Sequence, residues 1–106
     1  MGSNAQGDRR RGSRVPHRRE IDFWIGTLHF SAYYTDISTE GIFIETIDAA
    51  APGTRCMMRF TLPGYYRPIE TEGIVTWTDP QVGMGVSFLT LTRDGYEAIE
   101  EFSLET

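Results

Sequence analysis

The chain predicts a mainly β fold, an antiparallel barrel or sandwich with one helix at its C-terminal end. Three observations carry that prediction. Short apolar runs rich in β-branched and aromatic residues recur between turn-forming clusters. No long segment of helical periodicity separates them, which argues against crossover helices and a parallel sheet. A three-residue apolar spacing appears once, after residue 91.

The elements follow in order. Residues 1–8 are polar and read as a disordered or cloning-derived leader, and residues 9–19 as an Arg-rich arm. From Ile21 an extended stretch carries Phe23, Ile25, Leu28 and Phe30, interrupted near Gly26, and continues through Ala32-Tyr33-Tyr34-Thr35. Asp36 to Gly41 breaks it: Asp and Ser side chains bond nearby backbone, and Gly accepts positive φ. Ile42 to Thr46 is a short strand, Ala50 to Gly53 a loop, and Cys56 to Leu62 a strand ended by Pro63-Gly64. Ile69 to Thr78 is a long strand with Ile69, Val75 and Trp77 on one parity; Asp79-Pro80 turns the chain into Gly85 to Leu89. Thr92 or Asp94 caps a helix over 92–104 whose stripe is Tyr96, Ile99 and Phe102. Residues 20–91 thus form the β body of one domain, 9–106.

Composition narrows the functional classes. A chain of 106 residues with 40% apolar and 24% charged residues builds a core without metal or disulfide staples. The single Cys56 reads as a small core residue and suits a reducing, cytoplasmic compartment. No run approaches the roughly 18 apolar residues of a membrane span. His17 and His29 lack partners at metal-ligand spacing, so neither a metal nor a cofactor is expected. No nucleophile–His–acid order and no Walker loop appears, so no enzyme is expected.

Charge is unevenly placed. All ten basic residues are Arg, and six lie within residues 1–19 beside one acid, Asp8. The rest of the chain holds four Arg against 14 acids. So acidic a body disfavours general nucleic-acid binding. Arg in place of Lys favours planar, two-pronged recognition of phosphate or guanine edges, although such runs also serve as solubilising tails. Arg9, Arg10, Arg11 and Arg14, followed by Asp36-x-Ser38-x-x-Gly41, combine cations, a carboxylate, a hydroxyl and a glycine. That set suits an anionic ligand carrying a hydrogen-bonding base. Asp36 and Ser38 are also ordinary turn formers. Trp77 is either packing or a stacking platform for a base, and Trp24 reads as barrel packing.

In this order and spacing the residues resemble the PilZ domain family, whose pattern is Arg-x-x-x-Arg followed by Asp/Asn-x-Ser-x-x-Gly. Arg10 and Arg14 match the first motif, which Arg14 and Arg18 also satisfy; Asp36, Ser38 and Gly41 match the second. Gly41-Ile42-Phe43-Ile44-Glu45-Thr46, Phe60-Thr61-Leu62-Pro63-Gly64, Gly73-Ile74-Val75-Thr76-Trp77 and Gly83-Met84-Gly85-Val86-Ser87-Phe88 are further family-like phrases. The resemblance implies a six-stranded antiparallel β-barrel with a C-terminal α-helix. It implies a receptor for cyclic di-GMP, binding one or two nucleotides per chain and signalling to a partner protein. Arg10 and Arg14 would meet phosphates and guanine edges, with Arg9 and Arg11 adding charge. Asp36 and Ser38 would bond base or phosphate, Gly41 would leave room, and Trp77 would pack against a base. Glu40 departs from the pattern by placing a carboxylate beside an anion site. The other reading is a protein-interaction adaptor that does not bind nucleotide, with Tyr65, Tyr66 and the helix as its contact face.

Overall fold

The computed structural model describes residues 18–105. Six antiparallel strands close into a barrel: β1 (Arg19–Ile25), β2 (Leu28–Ile37), β3 (Gly41–Glu45), β4 (Arg55–Phe60), β5 (Ile69–Asp79) and β6 (Gly83–Phe88), followed by α1 (Arg93–Glu105). Around the barrel the order is β1-β2-β3-β6-β5-β4, with β4 pairing back onto β1 through Ile21↔Phe60 and Phe23↔Met58. Closure leaves no unpaired strand edge in the sheet. The family expectation of six strands and a terminal helix therefore holds, and of barrel and sandwich the barrel is the fold adopted.

Alternation along the strands fills the interior. β4 reads exposed–buried throughout, so Cys56, Met58 and Phe60 point inward and Arg55, Met57 and Arg59 outward. Phe23, Ile44, Met58 and Met84 are fully buried, and Ile99 of α1 joins the same core. Burying each such side chain contributes about 1.5–3 kcal/mol. Cys56 is buried among them, as its reading as a core residue expected. The Tyr34 hydroxyl reaches out of the core to donate to the Thr61 carbonyl.

Two bulges break the alternation. On β2 the pair Tyr34↔Ile44 is followed by Ile37↔Ile42, so β2 carries one residue more than β3 across that interval. On β5, Val75↔Val86 is followed by Trp77↔Gly85, which inserts Thr76 as the extra residue. Parity along β5 reverses at that point. Val75 points into the core, while Trp77, expected on the same face, stands on the outside with half its surface exposed.

The helix differs from its expected stripe. Thr92 is the cap: its Oγ1 accepts from the Gly95 N–H at 3.0 Å. The buried face is Gly95, Ile99 and, partly, Ala98 and Phe102, whereas Tyr96 faces solvent. Gly95 replaces Tyr96 because the helix lies against Ile69 and Leu91, both 3.6 Å from where a Cβ would stand. The Ser103 hydroxyl reaches the Ile37 carbonyl at 3.5 Å. The helix therefore packs at the barrel end where β2 turns into β3.

Candidate groove on the outer barrel wall

The expected break after Thr35 comes later than the sequence suggested. Asp36 is exposed and still in β2, next to the bulge, because Ile37 pairs with Ile42 before the chain bends at Ser38–Glu40. The Ser38 N–H donates to the Gly41 carbonyl at 2.9 Å, closing the hairpin. The Ser38 Oγ accepts from the Glu40 N–H at 3.2 Å, the local bond that makes Ser favourable in a bend. Its hydroxyl hydrogen stays available for a second bond.

Gly41 earns its place for a reason other than backbone freedom. The positive-φ glycines among the described residues are Gly26, Gly53 and Gly64. At Gly41 a Cβ would sit 2.4 Å from the Val86 carbonyl oxygen and 3.3 Å from the Ser87 Cα. Gly41 is therefore the residue that lets β3 start hard against β6.

An open groove of about 660 Å³ runs over the outer wall from this bend across β3 and β6 to β5. It brings together Asp36, Ser38, Gly41 and Trp77, the four expected site residues that lie within the described part of the chain. Arg9, Arg10, Arg11, Arg14 and His17 lie outside the described residues. Phe43 also lines the groove and was not singled out from the sequence. Its signal was there, an apolar residue at an outward position of β3, but an outward Phe gains meaning only from the neighbour it touches. That neighbour is Trp77, whose ring stacks on Phe43 with centroids 5.4 Å apart and planes inclined by 22°.

The groove's own charge is negative. Asp36 and Glu40 both line it, and among the described residues no Arg does. An anion settling here needs cations delivered from elsewhere. The first described residue shows where the chain arrives: Arg18 lies on the neighbouring outer surface, its Nε 2.9 Å from Glu45 Oε1 and its guanidinium 4.5 Å above the Tyr33 ring. Tyr33 and Glu45 are register partners on β2 and β3, so Arg18 bridges the two strands that flank the bend. Arg18 is thus already engaged by Glu45.

Elsewhere on the surface, Tyr65 packs partly against the core and Tyr66 is almost fully exposed. Arg67 lies near both rings and pairs with Asp94 at 3.2 Å. Trp24, expected as barrel packing, is instead on the outer face stacked on His29 at 4.9 Å, and His29 bonds Asp22 at 2.9 Å. Among the described residues no cluster of three metal-ligating side chains occurs, and no helix is long and apolar enough to cross a membrane.

Comparison with known proteins agrees with this arrangement. A search of curated protein sequences gives no match. Among solved structures, the inhibitor of motility MotI/DgrA of Bacillus subtilis is similar in fold, with a TM-score of 0.73 at 18% sequence identity. The likeness covers 86% of this chain and 47% of that one, so the chain spans about half the length of that relative. The family model described as PilZ domain matches residues 8–105. With the closed six-stranded barrel, the terminal helix and a match over nearly the whole sequence, the chain belongs to the PilZ domain family.

Proposed function

We propose that this domain is a non-catalytic receptor for cyclic di-GMP that binds on the outer groove. The observation that carries the reading is the convergence of Asp36, Ser38, Gly41 and Trp77 on one groove from β2, the bend, β3 and β5. Three of them have a task suited to that ligand, and Gly41 lets β3 start against β6 beneath it. The Asp36 carboxylate accepts from the guanine N1–H and N2–H edge, and Ser38 donates to a base or phosphate oxygen. Trp77 offers a ring face to a base. Arg10 and Arg14 supply the positive charge that the groove itself lacks, by two-pronged bonds to phosphate and to guanine O6 and N7. Arg9 and Arg11 add to the local field. Binding fixes the arm across β3 and β6 and changes the surface offered to a downstream protein. One or two nucleotides per chain fit this scheme.

Isothermal titration with cyclic di-GMP tests it. Micromolar or tighter binding is expected, reduced at least tenfold by Arg10→Ala, Arg14→Ala or Asp36→Ala, and weakening as ionic strength rises. An absence of heat at high concentration of folded protein refutes the receptor reading. It favours the adaptor instead, for which the exposed Tyr66 beside Arg67 supplies an aromatic, cationic contact face.

A further inference from the structure

Trp77 does not hold its pose alone. Strand β6 carries Gly83 and Gly85 at alternate positions, both facing outward, with Met84 and Val86 pointing into the core between and after them. Gly85 is the register partner of Phe43 on one side and of Trp77 on the other. A Cβ on Gly85 would lie 2.3 Å from the indole Nε1 and 2.7 Å from Cδ1. A Cβ on Gly83 would lie 2.1 Å from the Ile44 carbonyl oxygen, so this glycine first lets β6 lie close against β3; the end of the Phe43 ring is 3.0 Å away. The two glycines thus leave a flat strip on β6 over which the two rings lie and meet each other. The Thr76 hydroxyl donates to the Gly85 carbonyl at 3.2 Å and pins the β5 bulge that turns Trp77 outward.

We propose that Phe43 and Gly85 are positioning residues that assemble, with Trp77, a stacking seat for a purine base. The proposal rests on the receptor reading above and deepens it. The pyrrole side of the indole, Nε1 and Cδ1, occupies the space that Gly85 leaves free. Phe43 stacks against the indole, and half of the Trp77 surface still stays open to the groove. A planar base laid on the exposed part of the indole shares the groove with Asp36 and Ser38, which can bond its polar edge. An unsupported outer-wall Trp would sample several rotamers, and the base would have to select one of them. The glycine strip removes that cost by excluding the side chains that would occupy the same space.

The chain has two Trp residues, so Trp24→Phe leaves Trp77 as the sole indole reporter without touching the groove. In that background, cyclic di-GMP is expected to quench Trp77 emission as it binds. Gly85→Ala is expected to lift the indole, abolish the quenching and weaken binding by about 5- to 150-fold, the range a single base–aromatic stack supports. The clash it creates is with an exposed side chain, so the barrel's melting temperature should hold. Phe43→Leu, which keeps volume but removes the ring, should shift affinity in the same direction by a smaller factor. Unchanged affinity and quenching in Gly85→Ala overturns the proposal, as does binding detected calorimetrically without any change in Trp77 emission; both leave the receptor reading standing. GMP at millimolar concentration separates the remaining cases. Quenching by GMP that Gly85→Ala removes, in a protein giving no heat with cyclic di-GMP, supports the seat and refutes the receptor. No quenching by either nucleotide overturns the seat.

Discussion

Gly41→Ala separates two accounts of the same glycine. If Gly41 exists to give a ligand room, alanine should cost affinity and leave the free protein's stability alone. The structure argues otherwise. The new Cβ would stand 2.4 Å from the Val86 carbonyl oxygen, where an ordinary contact needs 3.4 Å or more, so β3 and β6 must separate by about 1 Å. That movement strains Gly41↔Ser87 and Ile42↔Val86, and it stretches the neighbouring 3.0 Å bond from the Phe88 N–H to the Glu40 carbonyl beyond bonding range. Overpacking of this kind costs about 1–3 kcal/mol, and each weakened backbone bond about 1 kcal/mol more. A total of about 2–4 kcal/mol, at roughly 4–8 °C per kcal/mol for a domain of this size, lowers the melting temperature by about 8–32 °C. Thermal unfolding followed by circular dichroism, without nucleotide, reads this directly. Gly26→Ala is the control: φ is +61° and no atom lies within 4 Å, so only the left-handed backbone penalty of about 1–2 kcal/mol applies. A Gly41→Ala protein melting within about 2 °C of wild type would refute the close-packing argument.

Alkaline pH should weaken the fold. Burial first, and Glu72 second, push the Cys56 thiol from 9.0 up to about 11, and burial pushes the Tyr34 hydroxyl from 10.0 up to about 12 against the lowering effect of Arg19. Between those values the unfolded chain has released protons that the folded chain retains, so stability is flat below about pH 8.5. It then falls by up to about 1.4 kcal/mol per pH unit for each group. Urea midpoints from pH 7 to 11 should show this decline, with the earlier part missing in Cys56→Val; a midpoint constant to pH 10.5 would contradict it. Thr92→Ala should destabilise the domain by about 1 kcal/mol through the lost bond to the Gly95 N–H, with Thr92→Ser close to wild type. Equal urea midpoints for the alanine and serine variants would show that the cap contributes nothing.

The sequence by itself determined the strands, because side chains alternate with a fixed period of two and the Gly, Pro and Asp clusters between runs mark where pairing must stop. It also determined the identities of Asp36, Ser38 and Trp77 as chemistry in search of a place, and Cys56 as core. Tertiary structure alone decided where those residues face. A bulge is a mismatch between two strands, so neither strand's sequence contains it; the extra residue at Thr76 exists only because β5 is paired with β6. That single mismatch took Trp77 off the parity it shares in sequence with Val75 and set it on the outer wall against Phe43. The same holds for Gly41, Gly83 and Gly85, whose missing side chains answer to atoms on other elements of the fold. Gly95, against Ile69, took the buried place on the helix that periodicity had assigned to Tyr96. Local sequence fixes what each residue can do, but approach distances between strands far apart in the chain fix which residues can do it together.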